Sequence, residues 1–323
     1  MNNTLQFITI QKFENHRQQT FENIKLSYQV FGAQLHSAPI ILVHHALTGN
    51  SNVANPDDGW WKDLIGKNKV INTDHYTVIA FNIYGNGYDH ALQTDHTSFN
   101  AFDIAALQFL AMTQMEITQL YAAIGGSIGG GIAWEMAVAH PEFIQHLIPI
   151  ASAWKSSDWI VGQTSVQESI LQHSSKPLED ARMMAMLFYR TPVSFDSKFN
   201  HKKTNQNIPV VSDWLQFHGK SLAKRFQVQA YRTMNYILST IDISKQKDSI
   251  EAALKPLQSH VIQIAIDTDI YFHKDTNLNT KKILDQFDVT NSYHEIQSVH
   301  GHDAFLIEYD QLSQILKPYF SIS

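Results

Sequence analysis

The segment of this chain best suited to covalent chemistry is a serine set among glycines, Gly125-Gly126-Ser127-Ile128-Gly129. An alcohol becomes a useful nucleophile only when a base takes its proton and a tight turn lifts it clear of the backbone. The spacing G-x-S-x-G suits such a strand-to-helix turn, because side chains at the flanking positions would clash. The next backbone N–H, that of Ile128, then opens a helix and can donate to an oxyanion. The base must be a histidine farther along the chain, and Val299-His300-Gly301-His302-Asp303-Ala304 offers His302 in a loop before the last helix. A carboxylate has to orient that ring through its second nitrogen. Asp267 and Asp269 both stand in the required order of serine, acid, histidine, and chain position alone does not choose between them. A second oxyanion donor is expected from the loop His44-His45-Ala46-Leu47-Thr48-Gly49, where Leu47 can present its N–H. Together these groups suit the movement of an acyl group through a covalent serine ester.

Positioning them requires a sheet whose strands end at one edge. Short apolar runs at 40–43, 76–81, 121–124, 146–151, 260–266 and near 292–297 read as strands, and 102–112, 132–139 and 304–316 read as helices. That alternation predicts an α/β fold with a mostly parallel sheet and helices on both faces. Between 154 and 240 strand signals vanish in favour of a helical, polar and aromatic stretch too long for a single crossover connection. The reading is a core of residues 1–153 and 241–323 with a helical cap at 154–240.

Composition narrows the chemistry. The chain of 323 residues has no cysteine, which removes disulfides, thiolate nucleophiles and cysteine-bound metals. Seventeen histidines invite a metal, but the tightest clusters, His44-His45 and His300-Gly301-His302, lack metal-ligand spacing, so no metal is expected. A net charge of -6 argues against a nucleic-acid partner, although a local basic pocket for an anionic cofactor is compatible with it. The first twenty residues lack a signal-peptide pattern and no run is long enough to span a bilayer, so the chain reads as soluble and cytoplasmic, with no membrane partner.

On these segments the chain resembles the homoserine O-acetyltransferase family of the α/β-hydrolase superfamily over almost its whole length. The resemblance rests on His45-Ala46-Leu47-Thr48-Gly49, on Trp60-Trp61-Lys62-Asp63-Leu64-Ile65-Gly66 and on the elbow Gly125 to Gly130. It continues through Ala181-Arg182-Met183, Tyr189-Arg190-Thr191-Pro192, a block from Gly219 to Tyr231, Ile266-Asp267-Thr268-Asp269-Ile270-Tyr271-Phe272 and Gly301-His302-Asp303-Ala304-Phe305-Leu306. It implies an α/β-hydrolase fold and a triad of Ser127, Asp269 and His302, with Leu47 and Ile128 at the oxyanion. It further implies Arg182 on the homoserine carboxylate with Tyr189 beside it, and Asp303 on the ammonium. Acetyl-CoA is then a co-substrate and no bound cofactor is needed. The reaction is a ping-pong acetyl transfer in methionine biosynthesis, and the implied assembly is a homodimer through the cap. Two departures stand out. The loop Asn82 to His90 is short where the family carries a glycine-rich loop and a long insert, and His273 replaces a proline. They keep open a succinyl donor, a serine acceptor, or hydrolysis of an ester or thioester on the same triad.

Overall fold

The computed structural model describes residues 4–321. Its ten strands are β1 (Gln6–Glu14), β2 (Thr20–Gly32), β3 (Ile40–His44), β4 (Ile65–Gly66), β5 (Ile71–Asn72), β6 (Thr77–Phe81), β7 (Leu120–Gly126), β8 (Ile144–Ile150), β9 (His260–Ile266) and β10 (Asn291–Ile296). Eight of them form one sheet in the order β1-β2-β6-β3-β7-β8-β9-β10, while β4 and β5 pair separately. From β6 through β10 all neighbours run parallel, and β2 joins β6 antiparallel. Strands β3 and β6 are buried at every position, as a sheet covered on both faces requires.

Ten α-helices accompany the sheet: α1 (Ala101–Gln114), α2 (Ile128–Ala139), α3 (Asp158–His173), α4 (Pro177–Tyr189), α5 (Pro192–Phe199), α6 (Val210–Ala223), α7 (Val228–Thr240), α8 (Ile250–Leu254), α9 (Lys274–Gln286) and α10 (Tyr309–Phe320). One apolar cluster packs α1 and α2, with Trp134 and Met136 wholly buried, against one face of the sheet. A second cluster, with Trp61, Phe305 and the α10 residues Leu312 and Leu316, covers the other. Helices α3 to α7 occupy the stretch where the sequence suggests a cap, and no strand of the large sheet interrupts them. An isolated antiparallel bridge between Lys155 and Asp242 ties the two ends of this insertion together.

The structure adds one element to the sequence reading and corrects another. The N-terminal hairpin β1–β2, eight paired positions long, has no counterpart in the sequence reading. The predicted final helix at 304–316 is two elements, a 3-10 turn at Gly301–Leu306 and α10 from Tyr309. The turn carries His302, whose Nε2 reaches Ser127 Oγ at 2.9 Å.

Helix α2 is anchored at its far end by Glu135, a buried carboxyl that accepts the Asp242 N–H at 2.8 Å and the Gln246 side-chain amide. Burial pushes this carboxyl up to about 7, with Asp242 adding to the rise and the two hydrogen bonds and Lys245 opposing it. A carboxyl raised above its ordinary value of 4.5 holds a proton in the folded chain that the unfolded chain has released. Its contribution is therefore complete below about pH 4.5 and lost as pH rises through about 7. Glu135→Gln removes this dependence, since the Gln246 amide can turn to accept. The unfolding free energy from urea titrations should fall more steeply between about pH 5 and about pH 8 for wild type than for the variant, by up to about 3 kcal/mol. Parallel slopes would show that Glu135 is already ionised at the lower pH.

Candidate active site

At the junction of β7 and α2, Ser127 adopts φ 58° and ψ −126°, a strained turn that projects its side chain off the sheet. The turn is fastened to β8: the Ser127 N–H donates to the Ile150 carbonyl at 2.9 Å, and Ser152 Oγ donates to the Ser127 carbonyl at 2.6 Å. Glycines are needed on both sides. A Cβ on Gly126 would lie 2.4 Å from the Phe305 ring, and one on Gly129 would lie 2.5 Å from the His44 carbonyl oxygen. The second obstacle is backbone at the end of β3 and cannot swing aside. Gly129→Ala should therefore cost about 1–3 kcal/mol of stability, read as a lower urea midpoint. An unchanged midpoint would mean that α2 can slide along the sheet.

His302 completes the hydrogen-bonded line. Its Nε2 lies 2.9 Å from Ser127 Oγ, and its Nδ1 lies 2.7 Å from Asp269 Oδ2. With the carboxylate ionised, Nδ1 holds the proton and donates it, which leaves Nε2 free to accept the serine proton. The other oxygen of Asp269 accepts the N–H groups of Tyr271 at 2.7 Å and Phe272 at 2.9 Å. Asp267 is turned elsewhere and accepts the Ser298 N–H at 2.9 Å. The two carboxylates that chain order left equal are thus separated by geometry, and Asp269 is the one on His302. All three groups are buried, and the imidazole sits among Tyr189, Tyr271, Phe272 and Phe305 with ring centroids 4.9–5.6 Å away. In such a dry enclosure each polar interaction is stronger than it would be in water.

Both expected oxyanion donors are free to act. Neither the Leu47 N–H nor the Ile128 N–H meets an acceptor among the described residues, and Ile128 is the first residue of α2. The loop carrying Leu47 is held by His45. This buried imidazole is pushed down to about 4 by burial and stays neutral. Its Nε2 accepts the Ile83 N–H at 2.9 Å, so Nδ1 carries the proton and donates to the Ala46 carbonyl at 2.7 Å. Asn86 Nδ2 approaches the same Nε2 at 3.2 Å. The short segment after β6 is therefore well knitted into the site: Asn82 accepts the Ser51 N–H at 2.9 Å and donates to Ser27 Oγ at 2.9 Å. His273, the other departure from the family pattern, caps α9.

The three residues expected at the substrate converge on the same place. Tyr189 lies tilted against His302, and the Arg182 guanidinium lies over the Tyr189 ring, 5.5 Å from its centroid. No carboxylate among the described residues pairs with Arg182; the neighbouring Asp180 instead accepts from Ser174 Oγ. Asp303 faces Arg190 at a loose 3.9 Å. Burial raises the Asp303 carboxyl, with Arg182 the strongest of the cations opposing that rise. The arrangement offers a fork for a carboxylate and a carboxylate for a cation beside a nucleophile.

Several groups at the site were not singled out from sequence. Arg225, between α6 and α7, donates to the Thr48 carbonyl at 2.7 Å and so fastens the helical segment to the Leu47 loop. Tyr231 and Tyr271 are buried beside Tyr189, and Arg190 belongs to a quoted motif but was not assigned. Their motifs were visible; their convergence was not. Among the described residues no cluster of three or more histidine, aspartate or glutamate side chains could hold a metal ion, and no helix is long and apolar enough to cross a membrane.

Comparison with known proteins places this geometry. A family profile for the alpha/beta hydrolase fold matches residues 39–308. Homoserine O-acetyltransferase of Cyclobacterium marinum is 30% identical, over 94% of this chain and 91% of its own. Among solved structures, homoserine O-acetyltransferase from Bacillus anthracis superposes with a TM-score of 0.87 at 17% identity, over 99% of this chain and 98% of that one. Esterase E22 superposes equally well, with a TM-score of 0.88 at 18% identity over 98% and 100% of the two chains. Near-equal likeness to a transferase and an esterase reflects the fold alone. The sequence relationship goes further, and the chain belongs to the homoserine O-acetyltransferase family of α/β-hydrolase-fold enzymes.

Proposed function

We propose that this enzyme moves an acetyl group from acetyl-CoA to the hydroxyl of L-homoserine through an acetyl ester on Ser127. The observation that carries this reading is the pair Arg182 and Asp303 beside the His302–Ser127 line, because an amino-acid acceptor presents one carboxylate and one ammonium. In the first half-reaction His302 takes the Ser127 proton as the oxygen attacks the thioester carbonyl. The oxyanion is held by the N–H groups of Leu47 and Ile128, and the thiol of CoA leaves with the proton from His302. In the second, His302 takes the proton of the homoserine hydroxyl as it attacks the acetyl ester, then returns it to the Ser127 oxygen as the bond to that oxygen breaks. Asp269 stays ionised throughout and steadies the imidazolium. The helical segment 154–240 acts as a cap that excludes water from the ester, with Arg225 holding it to the oxyanion loop.

The alternative, hydrolysis by water on the same triad, shares every step but the last. It gives no role to a guanidinium over the Tyr189 ring and a carboxylate next in the chain to His302. The test is thiol release from acetyl-CoA with and without L-homoserine. The chain has no cysteine, so every thiol detected is CoA. Release that depends on homoserine supports transfer; an equal rate without it marks a thioester hydrolase.

A further inference from the structure

The cations of this chain are unevenly spread. Residues 154–240 contain eleven lysines and arginines against six aspartates and glutamates, while the remainder contains thirteen against twenty-four. The surplus is concentrated at 190–225, with seven cations and two carboxylates. Several of these cations, with neutral rings between them, form a track leading away from the reacting groups. It begins at Arg190, which faces Asp303. Next comes His218 of α6, whose imidazole is pushed down to about 4 by burial and by Arg182, Lys198 and Arg190 around it. His218 stacks edge-on against Trp214 with ring centroids 4.2 Å apart, and Lys198 Nζ lies 4.9 Å from the centre of the same indole. Trp214 in turn meets Phe195 and Phe199 of α5. Those two phenylalanines line a cavity of about 380 Å³ whose other walls include His201, Lys202 and Lys203. Asp196 supplies the one carboxylate in that lining.

The loop that carries these lysines is ordered by its own ladder. Lys203 and Pro209 form an antiparallel bridge, the Thr204 N–H donates to the Ile208 carbonyl at 2.8 Å, and the Val210 N–H donates to the Lys202 carbonyl at 2.9 Å. Lys202 and Lys203 are both exposed, so their charges are available to a ligand.

We infer that this track, ending in the cavity between α5 and the 201–209 loop, seats the phosphate-bearing adenine nucleotide of the acyl donor. The inference rests on the acyl-CoA reading above and adds to it the place of the donor's polyanionic end. The cations answer the phosphates, and Phe195 and Phe199 in the cavity wall offer apolar surface to the base or to the pantetheine arm. On a chain whose remainder carries an excess of eleven negative charges, the cationic stretch also decides from which side a polyanion approaches.

The test uses adenosine 3′-phosphate 5′-diphosphate, the nucleotide without acyl group or thiol, and the double variant K202E/K203E. Calorimetric binding to the wild-type protein is expected, weakening in added salt and losing about tenfold or more in the variant. The control K67E/K69E reverses two exposed cations elsewhere and should bind like wild type. In turnover, wild type should prefer acetyl-CoA to S-acetylpantetheine, which lacks the phosphates, and K202E/K203E should collapse that preference. Absence of nucleotide binding, equal weakening by both double variants, or a preference that survives K202E/K203E overturns the inference. If no thiol is released from either donor but the nucleotide binds and K202E/K203E abolishes binding, the site stands and the transferase reading falls. If both donors are used equally and no nucleotide binds, the transferase stands and this site falls.

Discussion

Ser127→Ala is expected to bind acetyl-CoA and to leave it intact, with homoserine-dependent thiol release lower by about 10⁴- to 10⁶-fold. The substitution removes one oxygen whose recorded partner is His302 Nε2 and leaves the strained turn, with its backbone bonds to β8 and Ser152, in place. Stability should therefore change little, which separates loss of chemistry from loss of fold. A second readout is the protein mass after an acid quench. Wild type mixed with acetyl-CoA in the absence of acceptor should carry one acetyl group, and the variant none. The two half-reactions make this informative, since the ester accumulates only if Ser127 is the attacking atom and water is kept out. A variant that kept activity within about tenfold of wild type would mean that the acyl group passes directly from thiol to acceptor, with His302 as base and no covalent intermediate.

The sequence made the nucleophile and base legible because their constraints are local. Glycines beside Ser127 answer atoms that lie within a few ångströms, and His302 needs only a loop ahead of the last helix. The parallel sheet was legible for a similar reason: strands buried on both faces are continuous apolar runs, as at Ile40–His44 and Thr77–Phe81. Chain order left Asp267 and Asp269 equal, and only the family resemblance chose Asp269; the structure holds Asp269 on the N–H groups of Tyr271 and Phe272 and turns Asp267 to that of Ser298. What escaped was set by contacts between distant segments. The hairpin β1–β2 mixes exposed polar and half-buried positions at a sheet edge, so its apolar signal is diluted. The start of the last helix was misplaced because Ala304-Phe305-Leu306 has helical composition. Its Phe305 is instead committed to filling the space against Gly126 and Trp61, which a continuous helix would not present to the elbow. Arg225 bonds to Thr48 across 177 positions of chain, a separation at which no local pattern speaks.

Arg182 carries the expectation that most directly decides which acceptor the acetyl group reaches. Arg182→Ala should lower kcat/KM for L-homoserine by about 10²- to 10³-fold, the worth of a two-pronged charge-assisted contact to a carboxylate. Acylation of Ser127 by acetyl-CoA should proceed, because the Ser127–His302–Asp269 line and the two oxyanion N–H groups do not include Arg182. Arg182→Lys should fall between, keeping the charge but losing the fork. The physical case is that a guanidinium resting on the Tyr189 ring, with no carboxylate partner among the described residues, has its hydrogen-bonding edge unspent. Arg225 already donates to the Thr48 carbonyl, and Arg190 lies 3.9 Å from the Asp303 carboxylate, so the fork left for the acceptor is that of Arg182. The measurement is thiol release against homoserine concentration, beside the slow release expected without acceptor. A loss confined to the homoserine-dependent rate assigns Arg182 to the acceptor. An equal loss in both rates would place Arg182 on the donor or in the fold. With the acceptor's carboxylate unheld, its hydroxyl has no advantage over water at the acetyl ester, so Arg182→Ala should also raise the share of acyl-enzyme lost to hydrolysis. By this argument the difference between a transferase and an esterase on one shared scaffold lies in the side chains that hold the second substrate, and the Arg182→Ala measurement decides whether Arg182 is the first of them in this chain.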